Sequence, residues 1–429
     1  MTGMRALLRN HDFTVLWVGQ TINELGSRMS LFVFPLIAYG LTGSALWAAA
    51  AEALHLVGYC GLLLPAGVLA DRTDRLQLMR AASATGCALY VSLVVASLTA
   101  GLTVGHLLAV ALLSGATAGL FAPVETSAIR TVVPDDQLAA ALSQNQARQH
   151  VASLVGGPLG GALLSLARWL PLAVDAASYA LSWLLLGRVR ADLSPVSREP
   201  SSVRTELRAG FGFIWQRPFF RVLMVWSALA NLLVNALFFL AVLRLIQAGF
   251  APVQIAFVET AAGLFGVLGA IAAPALIDRF RTGTLTVLVA WSFVPLAVPI
   301  VLWNQPLVVA AALATGLFLN PAGNAGIGAY RMALTPADLQ GRVQASNQFA
   351  SMSAMPLAPL LAGALLTGIG GAPALLVLGA LTAAAALIPT LSTSVRSVPR
   401  PAVWQPPTPR EGTDLPRIAP SGHEPALSA

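Results

Sequence analysis

The sequence predicts an all-α membrane protein of twelve transmembrane helices, arranged as two pseudo-symmetric six-helix halves. Three observations lead there: too few charges for a soluble surface, twelve long apolar runs, and a repeat that maps the later runs onto the earlier ones. In 429 residues, 25 Arg stand against 18 Asp plus Glu, and no Lys occurs. Charged residues make up 10% of the chain, against about a quarter in soluble domains. Hydrophobic residues reach 56% and mean hydropathy is +0.74. Such a composition cannot cover a water-facing surface of this size, so the surface faces lipid.

The same arithmetic excludes functions. A Walker A loop needs a lysine on the nucleotide phosphates, and the chain has none. Cys60 and Cys87 lie in separate apolar stretches and read as packing residues. The spans hold no metal-ligand spacing and no evident nucleophile–base pair, so no catalytic residue, metal or cofactor is expected and the chain does not read as an enzyme. The basic excess belongs to loops flanking a membrane and not to a nucleic-acid surface.

Crossing a hydrocarbon core of about 30 Å takes about 20 apolar residues. Twelve runs qualify: 13–41, 45–70, 79–100, 104–128, 139–166, 170–188, 219–246, 252–277, 284–303, 306–329, 340–367 and 371–391. Met1 to Asp12 carries Arg5 and Arg9 without a cleavage site of small residues, so span one reads as a retained helix. Arginine fixes orientation. The even-numbered gaps hold Arg72, Arg75, Arg80, Arg130, Arg188, Arg190, Arg198, Arg204, Arg208, Arg217, Arg279, Arg281 and Arg331, whereas the odd gaps hold little beyond Arg168. By the positive-inside rule the even gaps and both termini face the cytoplasm. Arg in place of Lys, with abundant Ala and Gly, suggests a GC-rich bacterial genome and hence the bacterial cytoplasmic (inner) membrane.

The expected organisation is a first half over 1–188, a cytoplasmic linker over 189–218, a second half over 219–391 and a tail over 392–429. In the linker, Val203, Leu207, Phe211 and Ile214 recur at helical spacing, which predicts an amphipathic helix lying on the inner surface. The tail holds eight prolines after Leu391 and is expected to be disordered.

The repeat runs through three elements in order. Arg130-Thr-Val-Val-Pro134-Asp-Asp-Gln-Leu138, then Asn145-Gln146, reappears 201 or 202 positions later as Arg331-Met-Ala-Leu-Thr-Pro336-Ala-Asp-Leu339, then Asn347-Gln348. Asp71-Arg72 returns as Asp278-Arg279. Such duplication reads as a transporter whose halves rock about a central site.

The stretch Gly67-Val-Leu-Ala-Asp71-Arg72-Thr-Asp-Arg75 resembles the signature between spans two and three of the major facilitator superfamily, with Asp74 where many members have Gly. Phe13 to Gln20, Leu25 to Arg28, Arg130 to Leu138 and Val174 to Tyr179 resemble one branch of it, the transmembrane secretion effectors or macrolide- and siderophore-efflux-like permeases. The resemblance implies the major facilitator fold and secondary active transport. It implies a conformational gate built from Gly67, Asp71, Arg72 and Arg75, with Glu125 at the inner end of span four as a partner for Arg72, Arg75 or Arg130. Gly157-Pro158-Leu159-Gly160-Gly161 resembles the exporter kink of span five, although Ser153 and Ala162 stand where glycines would be. Drug–proton antiporters of the family carry an arginine in span four. Leu112 to Gly119 has none, so their coupling machinery does not transfer.

Charge inside the membrane costs several kcal/mol and marks function by default. Glu24 lies about 11 residues into span one, roughly 16 Å deep at about 1.5 Å per residue. Arg28 follows at i+4 on the same face. The pair reads either as a proton site, when the carboxylate loses its arginine in one conformation, or as a permanent lock. Glu52 with His55 in span two, and Glu259 in span eight, are further proton-coupling candidates; Asp175 reads as structural. In this fold spans one, four, seven and ten line the central site, so Gln20 and Asn23, Asn231 and Asn235, and Asn320 and Asn324 are cavity candidates, the last two pairs at i,i+4. Helix–helix hydrogen bonding is the alternative role of these amides. Phe32, Phe238 and Phe239 could add an apolar wall.

The leading expectation is a proton-coupled exporter of an amphiphilic small molecule such as a drug, siderophore or secondary metabolite. It would act as a monomer in the lipid bilayer, with substrate and protons as partners. An importer or lipid-moving permease on the same fold is the alternative. From another class, a non-transporting scaffold or sensor would need neither Glu24 at the midplane nor paired amides.

Overall fold

In the computed structural model the described residues are 7, 9–99, 101–194, 203–336 and 339–400, and among them every regular element is helical. The side chains of residues 64, 67, 68, 70, 71, 135, 136, 139, 203–207 and 341 also lie outside the description. The first set of long helices is α1 (His11–Thr42), α2 (Ala45–Arg72), α3 (Arg75–Leu98), α4 (Val104–Val132), α5 (Asp135–Leu166) and α6 (Leu170–Leu186). A short α7 (Val203–Trp215) follows. The second set is α8 (Pro218–Gln247), α9 (Pro252–Arg279), α10 (Thr282–Ser292), α11 (Ala297–Leu302), α12 (Pro306–Phe318), α13 (Asn320–Ala333), α14 (Gln340–Ser353), α15 (Leu357–Ile369) and α16 (Gly371–Leu391), closed by α17 (Thr393–Arg396).

Ten segments are long and apolar enough to cross a membrane when α10–α11, α12–α13 and α14–α15 are each taken as one crossing. The 17-residue α6 is apolar but shorter. At 32 residues, α5 has the length, and a polar stretch from Ser143 to His150 dilutes its hydropathy. With these two the crossings number twelve.

Local chemistry sets the ends. Asn10 caps α1 by accepting from the Phe13 amide at 3.1 Å, and Asp74 caps α3 by accepting from the Leu76 amide at 2.8 Å. α1 stops at Gly43, whose φ of 66° is left-handed, and whose N–H bonds Tyr39 O at 2.7 Å. Pro218, Pro252 and Pro306 each open a helix where no amide donor is missed.

Three expected single spans are broken. Span nine divides at Phe293–Leu296, span ten at Leu319 and span eleven at Ala354–Pro356. Each break holds or abuts a proline, which lacks an amide and clashes with the preceding turn. Pro295 is backed by Pro299 and Pro356 by Pro359, so two ladder bonds are lost close together. The isolated Pro35, Pro65, Pro123 and Pro158 of the first set leave their helices continuous.

Small residues set the closest packing. Side chains at Gly58, Gly115 and Gly119 would collide with the carbonyls of Leu112, His55 and Tyr59, so α2 and α4 touch backbone to backbone. The two sets meet through α5 against α9 and α2 against α15. Gly161 abuts the Pro252 carbonyl, and Gly363 abuts Ala45 and Ala49. Both contacts lie toward the ends joined by the loops near 43–44, 167–169 and 248–251.

Two expectations at the polar end are corrected. The described end of α7 has its apolar side on protein: Phe213 and Ile214 are buried with Phe220, Leu223 and Val343, and Gly210 fits against the Arg342 carbonyl of α14. The tail does not leave the fold at Leu391. Val395 and Val398, spaced i,i+3, are buried in the same cluster, and the Gly283 amide donates to Val398 O at 3.2 Å. Two apolar side chains suffice to dock that short segment, and the remainder, 401–429, lies outside the described residues.

Candidate functional site

Two cavities meet along Arg28, Leu31, Leu56 and Met355, of which Arg28 alone is charged. The first, of about 320 Å³, is lined on α1 by Gln20, Asn23, Glu24, Ser27 and Arg28. Across from these stand His55 and Tyr59 of α2, Tyr90 of α3, Thr117, Phe121 and Glu125 of α4, Gln149 of α5 and Tyr179 of α6. Met352 and Met355 close it from the second set. The second cavity, of about 390 Å³, lies between the two sets. Phe32, Pro35, Phe238 and Phe239 form its apolar wall, and Arg28, Glu52, Asn235 and Glu259 its polar one. Arg28 borders both.

The Arg28 Nε sits 2.8 Å from Glu24 Oε1, and both side chains are partly open, at 39% and 25% exposure. On its other side Arg28 interacts electrostatically with Glu52 and Glu259, and those two carboxyls with each other. One guanidinium thus pairs with one carboxyl and lies within electrostatic range of two more, Glu52 of the first set and Glu259 of the second. Glu259 reaches this place because Gly157 of α5 leaves space beside its Oε2.

A second ion pair is sealed. Arg148 of α5 holds Glu125 of α4 through Nη1–Oε1 at 2.8 Å and Nη2–Oε2 at 3.1 Å, with exposures of 2% and 7%. A two-pronged pair of this kind fixes geometry as well as charge. Among the described residues no cluster of three or more His, Cys, Asp or Glu is placed to hold a metal ion.

The sequence profile described as Major Facilitator Superfamily matches residues 16–304, about two-thirds of the chain. The chain belongs to the major facilitator superfamily. No curated protein sequence matches it. Solved structures agree on the fold. A bacterial homologue of the human lysosomal transporter Spinster, inward-facing and unoccupied, aligns with a TM-score of 0.67 at 14% identity, covering 91% of this chain and 97% of its own. A bacterial homologue of the iron transporter ferroportin, also inward-facing, gives 0.67 at 17% identity, covering 90% and 98%. The nucleoside transporter NupG gives 0.70 at 12% identity, covering 88% and 98%. At these identities the likeness concerns the fold alone.

Within this major facilitator fold the residues expected to form a gate separate. Gly67 and Asp71 belong to the last turns of α2, but their side chains lie outside the described residues. Arg72 and Arg130 are exposed. Arg75 is buried and donates to Thr131 Oγ1 at 3.1 Å, while its own amide donates to Leu193 O at 3.3 Å. The expected partnership of Glu125 is corrected: its arginine is Arg148, which arrives from the facing turn of α5. The signal for Arg148 was present in the polar stretch that interrupts span five.

Glu52 and His55 do not form a cluster facing one space. Glu52 borders the second cavity and His55 the first, where its Nδ1 lies 3.4 Å from Ser114 Oγ. The amides divide similarly. Gln20 donates to Ser182 Oγ at 3.2 Å and is 3% exposed, whereas the Asn23 Oδ1 is buried without a hydrogen-bond partner among the described residues. Asn235 borders the second cavity and donates to Asn231 O at 2.7 Å. Asn324 donates to Asn320 Oδ1, and neither lines the two central cavities. Helical i,i+4 spacing that aligned these pairs on one face also let each pair satisfy itself. In α5, Gly157 faces the second cavity, Pro158 lies within the unbroken helix, and Gly161 touches α9.

Proposed function

We propose that this chain is a proton-coupled secondary exporter of an amphiphilic small molecule, working by alternating access. The observation that carries the reading is the position of Arg28, which borders both central cavities and has carboxyls on both sides. Moving α1 relative to α9 would shift its pairing between Glu24 and the Glu52/Glu259 pair. A carboxylate left without its cation away from water takes up a proton, and a returning arginine expels it. The halves (1–188 and 219–391, joined by the 189–218 linker) are the bodies that rock. Asp71, Arg72 and Arg75 tighten the cytoplasmic gate.

With the arginine-bearing ends in the cytoplasm of a bacterial inner membrane, the contacts at Gly161 and Gly363 close the outer end, and the described state opens inward. Export of a drug, siderophore or secondary metabolite is supported by the likeness to the efflux branch, by the phenylalanine wall of the second cavity, and by the Gly157–Pro158–Gly161 stretch on the α5–α9 seam.

The test is accumulation in inside-out vesicles. Comparing metabolites exported by cells with and without the gene supplies the substrate. An uncoupler is expected to abolish accumulation; uncoupler-insensitive accumulation sinks proton coupling. Glu24→Gln is expected to abolish accumulation while sparing downhill exchange. If it still concentrates substrate, Glu24 serves only to hold Arg28.

A further inference from the structure

Behind the first cavity lies a carboxyl that the exchange around Arg28 does not use. Asp175 of α6 is 0% exposed and makes no ion pair among the described residues. Its Oδ1 accepts from Ser178 Oγ at 3.0 Å, while its Oδ2 has no hydrogen-bond partner among the described residues. Ser30 of α1, also 0% exposed, makes no hydrogen bond of normal geometry among the described residues, and it and the Tyr90 hydroxyl lie within interaction range of the Asp175 carboxyl. Two orphaned oxygens beside one another, one of them on a carboxylate, are costly in a medium with no water. The Ser30 hydroxyl can donate to Oδ2 and satisfy both atoms but leaves a buried charge, whereas a hydrogen on Oδ2, donated to Ser30 Oγ, satisfies both and removes the charge. A sodium ion would need several more oxygens and a space of its own, and neither Asp175 nor Ser30 lines a central cavity.

The surroundings are built around this carboxyl. Gly26 of α1 packs on it, and any side chain there would strike Asp175 Oδ1 and Ser178 Oγ. The titratable groups facing it are Tyr90 from α3 and Tyr179 from its own helix, their rings stacked with centroids 5.7 Å apart. From α1, Glu24 reaches Tyr179, and Ser27 Oγ lies 3.2 Å from the Tyr179 hydroxyl. Both tyrosines line the first cavity. Each thus touches the cavity and lies within interaction range of Asp175.

We propose that Asp175 is a second proton-binding carboxyl of the transport cycle, loaded and emptied through Tyr90 and Tyr179 as α1 moves off α6 at Gly26. The proton travels from cavity water to a tyrosine oxygen while that tyrosine passes its own to the carboxylate, so no other reactant is consumed. This rests on the proton-driven reading above but names a different group.

The experiment uses the full chain in proteoliposomes. Infrared spectra at neutral pH are expected to show the carbonyl stretch of a protonated carboxylic acid, absent in Asp175→Asn. Tyr90→Phe is expected to slow hydrogen–deuterium exchange of that band. Asp175→Asn copies the protonated shape, so folding persists. Substrate exchange limited by one proton changes about tenfold per pH unit on its sloping limb; the Asn variant is expected to lose that slope and Asp175→Glu to regain it. Absence of the band, an unchanged pH profile in Asp175→Asn, or a band removed by sodium at constant pH each overturns the proposal. Failure of the proton-driven reading is seen separately, as uncoupler-insensitive accumulation by the unmodified protein.

Discussion

The two halves share a fold but divide the work. In the first, the buried polar side chains include Arg75, Glu125, Arg148 and Asp175 beside Gln20, Asn23 and Asn145; in the second, those described are neutral hydroxyls, such as Thr282, Thr286, Ser346 and Thr382. The first runs through unbroken helices, whereas the second is interrupted at Phe293–Leu296, Leu319 and Ala354–Pro356. Buried charge needs a rigid frame, because a displaced partner leaves an unpaired ion in a dry interior. Hydroxyls bonded to their own helix, such as Thr382 to Leu378 O at 2.7 Å, need no such frame. The contrast teaches that ionic chemistry is concentrated in α1–α6, while bending capacity is concentrated in α10–α15.

The largest expected effect breaks the first half's frame. Arg148→Leu strands Glu125, and removal of one partner from a buried pair costs about 3–5 kcal/mol. Thermal unfolding in detergent is expected to fall sharply, and Glu125→Leu combined with Arg148→Leu is expected to recover most of the loss. If the double variant is no better than the single, the pair does not act as a unit. Next come the hinges. Pro356→Ala restores a ladder donor, so α14 and α15 are expected to join and stabilise by up to about 3 kcal/mol, with turnover slowed and substrate affinity retained. A faster turnover would show that the break is not used in transport.

Smaller still is the contrast between amides. Asn235→Leu, at the second cavity, is expected to weaken substrate binding by about 0.6–2 kcal/mol, measured as a shift in apparent affinity, whereas Asn324→Leu is expected to leave affinity unchanged. Equal shifts would place both faces on the substrate path. The smallest effect is at the surface. Asp192, in the loop after α6, accepts from the Ser194 amide at 2.9 Å, and Ser194's hydroxyl and amide hold its carboxyl below the ordinary range. A lowered folded value gives stability that is present above the unfolded range and lost as pH falls through the folded one. Asp192→Asn is therefore expected to cause a barely measurable destabilisation near neutral pH that vanishes in acid. A difference persisting in acid would assign the effect to something other than charge.

Much of this was legible in one dimension. The repeat and the loop after span two led to the family, and Glu24–Arg28 at i,i+4 led to the ion pair. Helical spacing found Val203 to Trp215 as well, but spacing reports only that one face is apolar, and it cannot say whether lipid or α14 covers it. Asp175 illustrates the same limit: its neighbours Gly26, Ser30 and Tyr90 are distant in sequence, so spacing within span six could not name them.

By itself the sequence determined the membrane-protein class, the expected crossings and the repeat that links Arg130–Leu138 to Arg331–Leu339. Lipid forces each crossing to satisfy its backbone within its own segment, so crossings follow from local composition. Tertiary structure alone decided how Glu125 and Asp175 are partnered and which amides turn to a cavity. Those outcomes depend on what the neighbouring helix presents: Glu125 had several arginines within reach of its loop, and only the packing of α5 on α4 chose Arg148.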